Sequence, residues 1–235
     1  MKKIILIFSL FFSLNLSAKE LPHNAADFLY RVDLVRATPG KLESVISSAK
    51  SYQDEKSRSP YLMRHSQGDH WDLMIVWPVI SYQKLHSDNN YSRLNKFYKD
   101  LAEDINFLES TYMHGPDNSL FAKWYKANKL FHIEMFVALP EQKEALLTER
   151  KMESQYLINI DRKPNLLFRK EQGANWDAMT IGFYGSLKEF ATMGDIPLAV
   201  DDKAAIDAGF KGVGDIGYYL RSLLQRHNDT LAKKP

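Results

Sequence analysis

One stretch of this chain occurs twice. Arg64, Gln67, Gly68, Trp71, Asp72 and Met74 recur, at one constant spacing, as Arg169, Gln172, Gly173, Trp176, Asp177 and Met179. Both segments alternate apolar and polar residues on either side of a glycine turn, the pattern of a strand-turn-strand hairpin. Six shared identities in two such hairpins imply an internal duplication. The fold must then place two copies of one unit against each other.

The surroundings of the two hairpins repeat as well. In the first half, Phe28 to Arg36 reads as a strand with Tyr30, Val32 and Leu34 on one face and Arg31, Asp33 and Val35 on the other. Leu42, Val45, Ile46 and Ala49 then fall on one helical stripe, which Ser59-Pro60 ends. The hairpin follows, with Trp71, Leu73, Ile75 and Trp77 assigned to a shared face, and then a helix from about Ser81 whose apolar spacing runs through Leu94, Phe97, Leu101, Ile105 and Leu108. The second half repeats the order: a strand from Phe131 to Ala138, a helix from Glu141 to about Leu157, the second hairpin, a glycine-rich segment from Gly194 to Gly217 containing one short helix, and a final helix from Asp215 to about Ala232. The fold class is α+β, with two tandem ferredoxin-like (βαββα) repeats spanning 28–118 and 129–235. Residues 119–128 read as either a linker or an edge strand.

The N-terminus stands apart from this pattern. Lys2 and Lys3 precede an apolar run from Ile4 to Leu14, and Leu16-Ser17-Ala18 closes it, the layout of a secretory signal peptide over 1–18 followed by a leader over 19–27. The run is too short to span a bilayer comfortably. The expected location is therefore periplasmic or secreted, with no transmembrane segment after cleavage. An exported chain of this kind has no disulfides, because it has no cysteine. Lys2 and Lys3 account for the whole excess of 31 basic over 29 acidic residues. A charge-balanced mature chain gives no warrant for a nucleic-acid partner.

The duplicated order resembles the dimeric α/β-barrel superfamily, which includes antibiotic-biosynthesis-type monooxygenases, haem-degrading monooxygenases and chlorite-dismutase-like proteins. The residues that carry the resemblance locally are Val76-Trp77, Ser81, Lys84-Leu85-His86 and Ser92, similar to the tryptophan, gap, helix and histidine pattern of the monooxygenase branch. The resemblance implies that the two antiparallel sheets join into one barrel within the chain, as a pseudo-dimeric monomer or a homodimer. It also implies Trp77 at the mouth of a sheet-helix pocket and His86 on the neighbouring helix. In the haem-degrading branch that histidine ligates iron with help from a first-strand asparagine, which Arg31, Val32 and Asp33 do not supply. The second half has Gly182 and Ala191 where the first has Trp77 and His86.

Read independently, His86 is suited to remove a proton from an acidic phenol or enol, because imidazole titrates near neutrality. Oxygen then reacts with the carbanion without metal or flavin. The expected ligand is a small hydrophobic or aromatic molecule and the expected cofactor is none, with haem as the alternative. Trp71 and Trp176 read as core rings facing a helix layer, and as pocket walls if a ligand binds there. Asp72 and Asp177, inside strands, need partners, for which Arg64 and Arg169 on the adjoining strands are the expected ion pairs. His132 and Glu134 alternate on one strand face and could share a metal ion with His227 or His114, whereas Arg31 and Asp33 at the corresponding positions favour a simple charge pair. There is no phosphate-binding glycine loop, serine nucleophile elbow or HExxH helix. Kinase, nucleotide-dependent, α/β-hydrolase and zincin chemistry are disfavoured.

Overall fold

The computed structural model describes residues 28–53, 58–81, 83, 88–192 and 196–235. The expected signal peptide, the leader and His86 lie outside these residues. In chain order the elements are β1 (Phe28–Ala37), α1 (Leu42–Ser51), β2 (Tyr61–Gln67), β3 (Leu73–Ile80), α2 (Asp88–Asp100), β4 (Ile105–Gly115), α3 (Asn118–Ala127), β5 (Leu130–Ala138), α4 (Lys143–Asn159), β6 (Leu166–Gln172), β7 (Ala178–Tyr184), α5 (Leu187–Ala191), α6 (Leu198–Asp207), α7 (Asp215–Leu223) and β8 (Leu224–Lys233). Each repeat thus ends on a strand that the helical spacing concealed. Ile105 and Leu108 belong to β4 and Leu231 to β8, not to continuing helices.

The eight strands close into one antiparallel barrel in the order β1-β3-β2-β8-β5-β7-β6-β4. Each repeat contributes a four-stranded sheet with its first strand in the middle, and the sheets join where β2 meets β8 and β4 meets β6. Closure explains β8, whose sequence LQRHNDTLAK carries little strand signal of its own. Pairing with β2 on one side and β5 on the other satisfies the backbone groups that an open edge would leave to solvent. For β4, Asp104 ends the preceding turn: its side chain accepts from Ser44 Oγ at 2.6 Å and meets Lys41 Nζ at 3.1 Å, and its carbonyl accepts from Thr38 N–H.

The barrel interior is the main core. Tyr30, Val32 and Leu34 of β1 and Phe131, Ile133 and Met135 of β5 point into it, with Met74, Met179, Phe168 and Phe183. Trp71 and Trp176 also lie there, on the opposite face from Trp77. Both tryptophans precede their strands, so the alternation that places Leu73, Ile75 and Trp77 together does not extend to them. The segment at 119–128, which joins the two repeats, is helical and not an edge strand. Asp117 accepts from the Ser119 N–H and starts α3, which lays Phe121, Trp124 and Tyr125 across one end of the barrel. Tyr30 Oη donates to the Pro116 carbonyl at 2.8 Å and Tyr61 Oη to Asn118 Oδ1 at 2.9 Å, which pins this plug in place.

The repeated glycines sit on the two seams of the barrel. Gly68 has φ +118° and Gly173 φ +119°, conformations that favour glycine. A Cβ on Gly68 would collide with the Asp229 carbonyl of β8, and one on Gly173 with the Ser110 carbonyl of β4. Each hairpin turn thus packs against the closing strand of the other repeat. Among the described residues no helix is long and apolar enough to cross a membrane.

Candidate functional site

The outward face of each sheet is covered by helices, and the first strand of each repeat carries charged side chains onto it. In the first repeat Asp33 is fully buried and its carboxylate gathers three donors. Arg31 Nε lies 2.8 Å from Oδ1, Trp77 Nε1 donates to Oδ2 at 2.6 Å, and Tyr98 Oη donates to Oδ2 at 2.5 Å. Arg31 Nη2 continues to Ser110 Oγ at 3.0 Å, and its guanidinium stacks 5.2 Å from the Tyr98 ring centre. Burial pushes the Tyr98 phenol well above its usual range, and the Asp33 charge adds to the effect. Tyr98 is therefore a standing hydrogen-bond donor and not a base near neutrality.

Aromatic rings cover this polar group. Trp77 meets Tyr52 and Phe97 edge-on at 4.8 and 5.3 Å. These two rings also line a groove of about 410 Å³ between α1 and α2, with Ser48, Gln53, Arg93 and Lys96 at its rim. That volume falls in the usual range for small-molecule pockets, about 300–1,000 Å³. A smaller cavity of about 180 Å³ opens at the barrel end opposite α3, over Leu34, Met135 and Trp176, with Asp69, Glu109 and Arg226 around it.

The second repeat differs on the same face. Glu134, opposite Thr180 and Asp229, stands where Asp33 stands opposite Ile75 and Ser110; His132 stands where Arg31 does. His132 Nε2 is 3.1 Å from Asp229 Oδ1, His227 Nε2 is 2.9 Å from Asp229 Oδ2, and Thr180 Oγ1 donates to Glu134 at 3.0 Å. From α4, the buried Arg150 makes a paired contact with Glu149 at 2.6 and 2.7 Å, and its Nη1 contacts Glu153. Burial pushes the Glu153 carboxyl up to about 7 against the opposing pull of Arg150. Hydrogen bonds from the two histidines hold the Asp229 carboxyl well below the usual carboxylate range.

Of the residues singled out from sequence, Trp77 lies on the helix-covered face, packed against Tyr52 and Phe97 and not among the residues lining the groove, while Trp71 and Trp176 line the barrel interior. The expected Arg-Asp pairs are replaced by backbone bonds. Asp72 accepts the Ala37 N–H at 2.9 Å and Asp177 the Ala138 N–H at 3.0 Å, so each carboxylate ties its hairpin to the end of the neighbouring first strand. Lys170 Nζ also lies 3.3 Å from Asp177. Arg64 sits on the β2–β8 seam and Arg169 on the β4–β6 seam. His132 and Glu134 do converge, joined by His227 through Asp229; His114 lies apart, 3.5 Å from Glu171. Sequence reasoning missed Tyr98, Arg150, Glu153 and Asp229. The charged run Glu149-Arg150 on the buried stripe of α4 was a usable signal for two buried charges, whereas Asp229 was hidden by the helical reading of its segment.

No protein-family model matches this chain, and no curated protein matches it. Solved structures do. An anthrone oxidase-like protein superimposes with a TM-score of 0.57 at 10% identity, covering 91% of this chain and 93% of that one. The alignment extends over nearly all of both chains, so it includes both repeats. This is the dimeric α/β-barrel fold. A monooxygenase-like protein from Fusobacterium nucleatum gives a TM-score of 0.56 at 10% identity over 89% of this barrel chain and 93% of its own. One from Lactobacillus acidophilus gives 0.51 at 7% identity over 88% and 93%. At such identities the likeness establishes the fold alone.

Proposed function

We propose that the protein is an exported, cofactor-independent oxygenase that binds a small aromatic molecule on the helix-covered face of its first repeat. The observation that carries this reading is the aromatic groove between α1 and α2, whose Tyr52 and Phe97 rings pack on the Trp77–Asp33–Tyr98 group. The names of the anthrone oxidase-like and monooxygenase-like structural neighbours favour this chemistry. In it, His86 removes a proton from an activated ring carbon. Oxygen adds to the carbanion, and loss of water leaves a carbonyl, so that one CH2 and one O2 give one C=O and one H2O. Behind the Tyr52 and Phe97 rings, Arg31, Trp77 and Tyr98 all donate to the Asp33 carboxylate. The signal layout of Met1 to Ala18 supports export, and closure of the barrel within one chain supports a monomer.

Anthrone oxidation by the purified mature protein, followed by oxygen uptake in the presence of a chelator, tests the reading. Turnover is expected, with His86→Ala slower by at least about 100-fold, the lower end of what a general base contributes. Unchanged turnover in that variant would defeat the assignment. Haem is the second reading. A Soret shift on adding haemin that His86→Ala abolishes would replace the oxygenase reading with haem binding.

A further inference from the structure

We propose that the second repeat carries a divalent transition-metal site of the zinc type, formed by His132, Glu134 and Asp229. The His132 ring nitrogen and one oxygen from each carboxylate lie within 4.8 Å of one another. The site is independent of the oxygenase reading, which concerns the opposite repeat.

The first repeat shows what the position requires. There the Arg31 guanidinium bridges Asp33 and Ser110, placing a cation between β1 and β4. In the second repeat the three corresponding residues are His132, Glu134 and Asp229, so the built-in cation is gone and a second carboxylate has replaced the serine hydroxyl. Gly182 stands where Trp77 would donate an N–H. Arg150 does not fill the place. Its guanidinium is engaged by Glu149 and Glu153, and its nearest nitrogen stays 3.8 Å from Glu134. Arg150 therefore faces Glu134, Glu149 and Glu153, while Asp229 is contacted by the rings of His132 and His227 alone among the described residues. An excess of carboxylates in a partly buried site is costly unless a cation offsets it.

The donor set suits zinc, which takes imidazole nitrogen and carboxylate oxygen at about 2.0–2.2 Å. The 3.1 Å separation of His132 Nε2 and Asp229 Oδ1 is close to the spacing of two ligands on one ion. Glu134 and Asp229 also have outer partners that fix their orientation: Thr180 Oγ1 donates to Glu134, and His227 contacts the second oxygen of Asp229. The Asp229 side chain is 53% exposed and that of His132 21%, so solvent can reach the ion and complete its coordination.

The test uses tag-free mature protein stripped with chelator, titrated calorimetrically with zinc sulfate and, in parallel, with cobalt(II) chloride read by its visible absorption. One zinc per chain is expected, with a cobalt spectrum of low coordination number. His132→Ala and Asp229→Asn should each weaken binding by at least about 100-fold, and Thr180→Val by about 10-fold, the lower end for an outer-partner loss. Asp69→Asn, at the barrel mouth, should leave binding unchanged. Asp229 is half-exposed, so its variant should keep the wild-type circular dichroism and melting profile. No saturable zinc binding by the wild type, or equal binding by the His132 and Asp229 variants, would overturn the proposal.

Discussion

The indole N–H of Trp77 donates to Oδ2 of Asp33 at 2.6 Å, from a strand paired directly with the one that bears the carboxylate. Asp33 is wholly buried, and the bond is one of three that make that burial tolerable. Asp33→Ala leaves the Arg31 charge buried without its partner and should cost about 3–5 kcal/mol. Trp77→Phe removes one donor and should cost about 1–3 kcal/mol. Urea unfolding of both variants measures the difference, and an Asp33→Ala variant as stable as the wild type would show that solvent reaches the site.

The seam glycines should be intolerant of a single methyl group. Gly68→Ala and Gly173→Ala each force a positive φ on alanine and drive its Cβ into the backbone of β8 or β4. A loss of at least about 2 kcal/mol is expected for each, larger than the roughly 1 kcal/mol of φ strain alone. Gly40→Ala is the comparison: φ is +81° but the space is open, so only the strain should appear in the melting temperature.

Phe121 is the centre of the barrel plug, fully buried among Tyr30, Tyr61, Phe168 and Phe183. Phe121→Ala should cost about 3–5 kcal/mol through lost burial and the cavity it leaves. If α3 is only a loose cover, hydrogen exchange of the barrel strands will be unaffected; if it is part of the core, protection should fall in β1 and β2 together.

Alkaline pH should loosen the same end. Burial raises the Tyr61 phenol from 10.0 to about 12. The unfolded chain releases this proton at the lower pH, so the stabilisation is fully present below pH 10 and is lost as pH rises towards 12. Tyr61→Phe should flatten the stability profile in that window, at the cost of the bond to Asn118. An unchanged slope would place the alkaline transition elsewhere.

The two repeats, the alternation of β1 and β5 and the position of both hairpins were legible in the sequence because each is a local pattern of period two around a glycine turn. β4 and β8 were not. Ile105 and Leu108 extend the spacing of α2, and β8 is mostly polar, so neither segment announces a strand. The site followed the same division. Trp77 was marked by the resemblance to the monooxygenase pattern and the pair His132 and Glu134 by their shared strand face, but Asp229 could join that pair only once β8 was laid beside β5.

The sequence by itself determined that this protein is a duplication of an α+β unit, since repetition and periodicity survive in one dimension. Only the tertiary structure decided what the repeated hairpin is for. Gly68 and Gly173 are required by the strand of the other repeat that each turn touches, and Asp72 and Asp177 by the backbone N–H groups they hold. Those partners are far away in the chain, and closing the barrel is what brings them within reach.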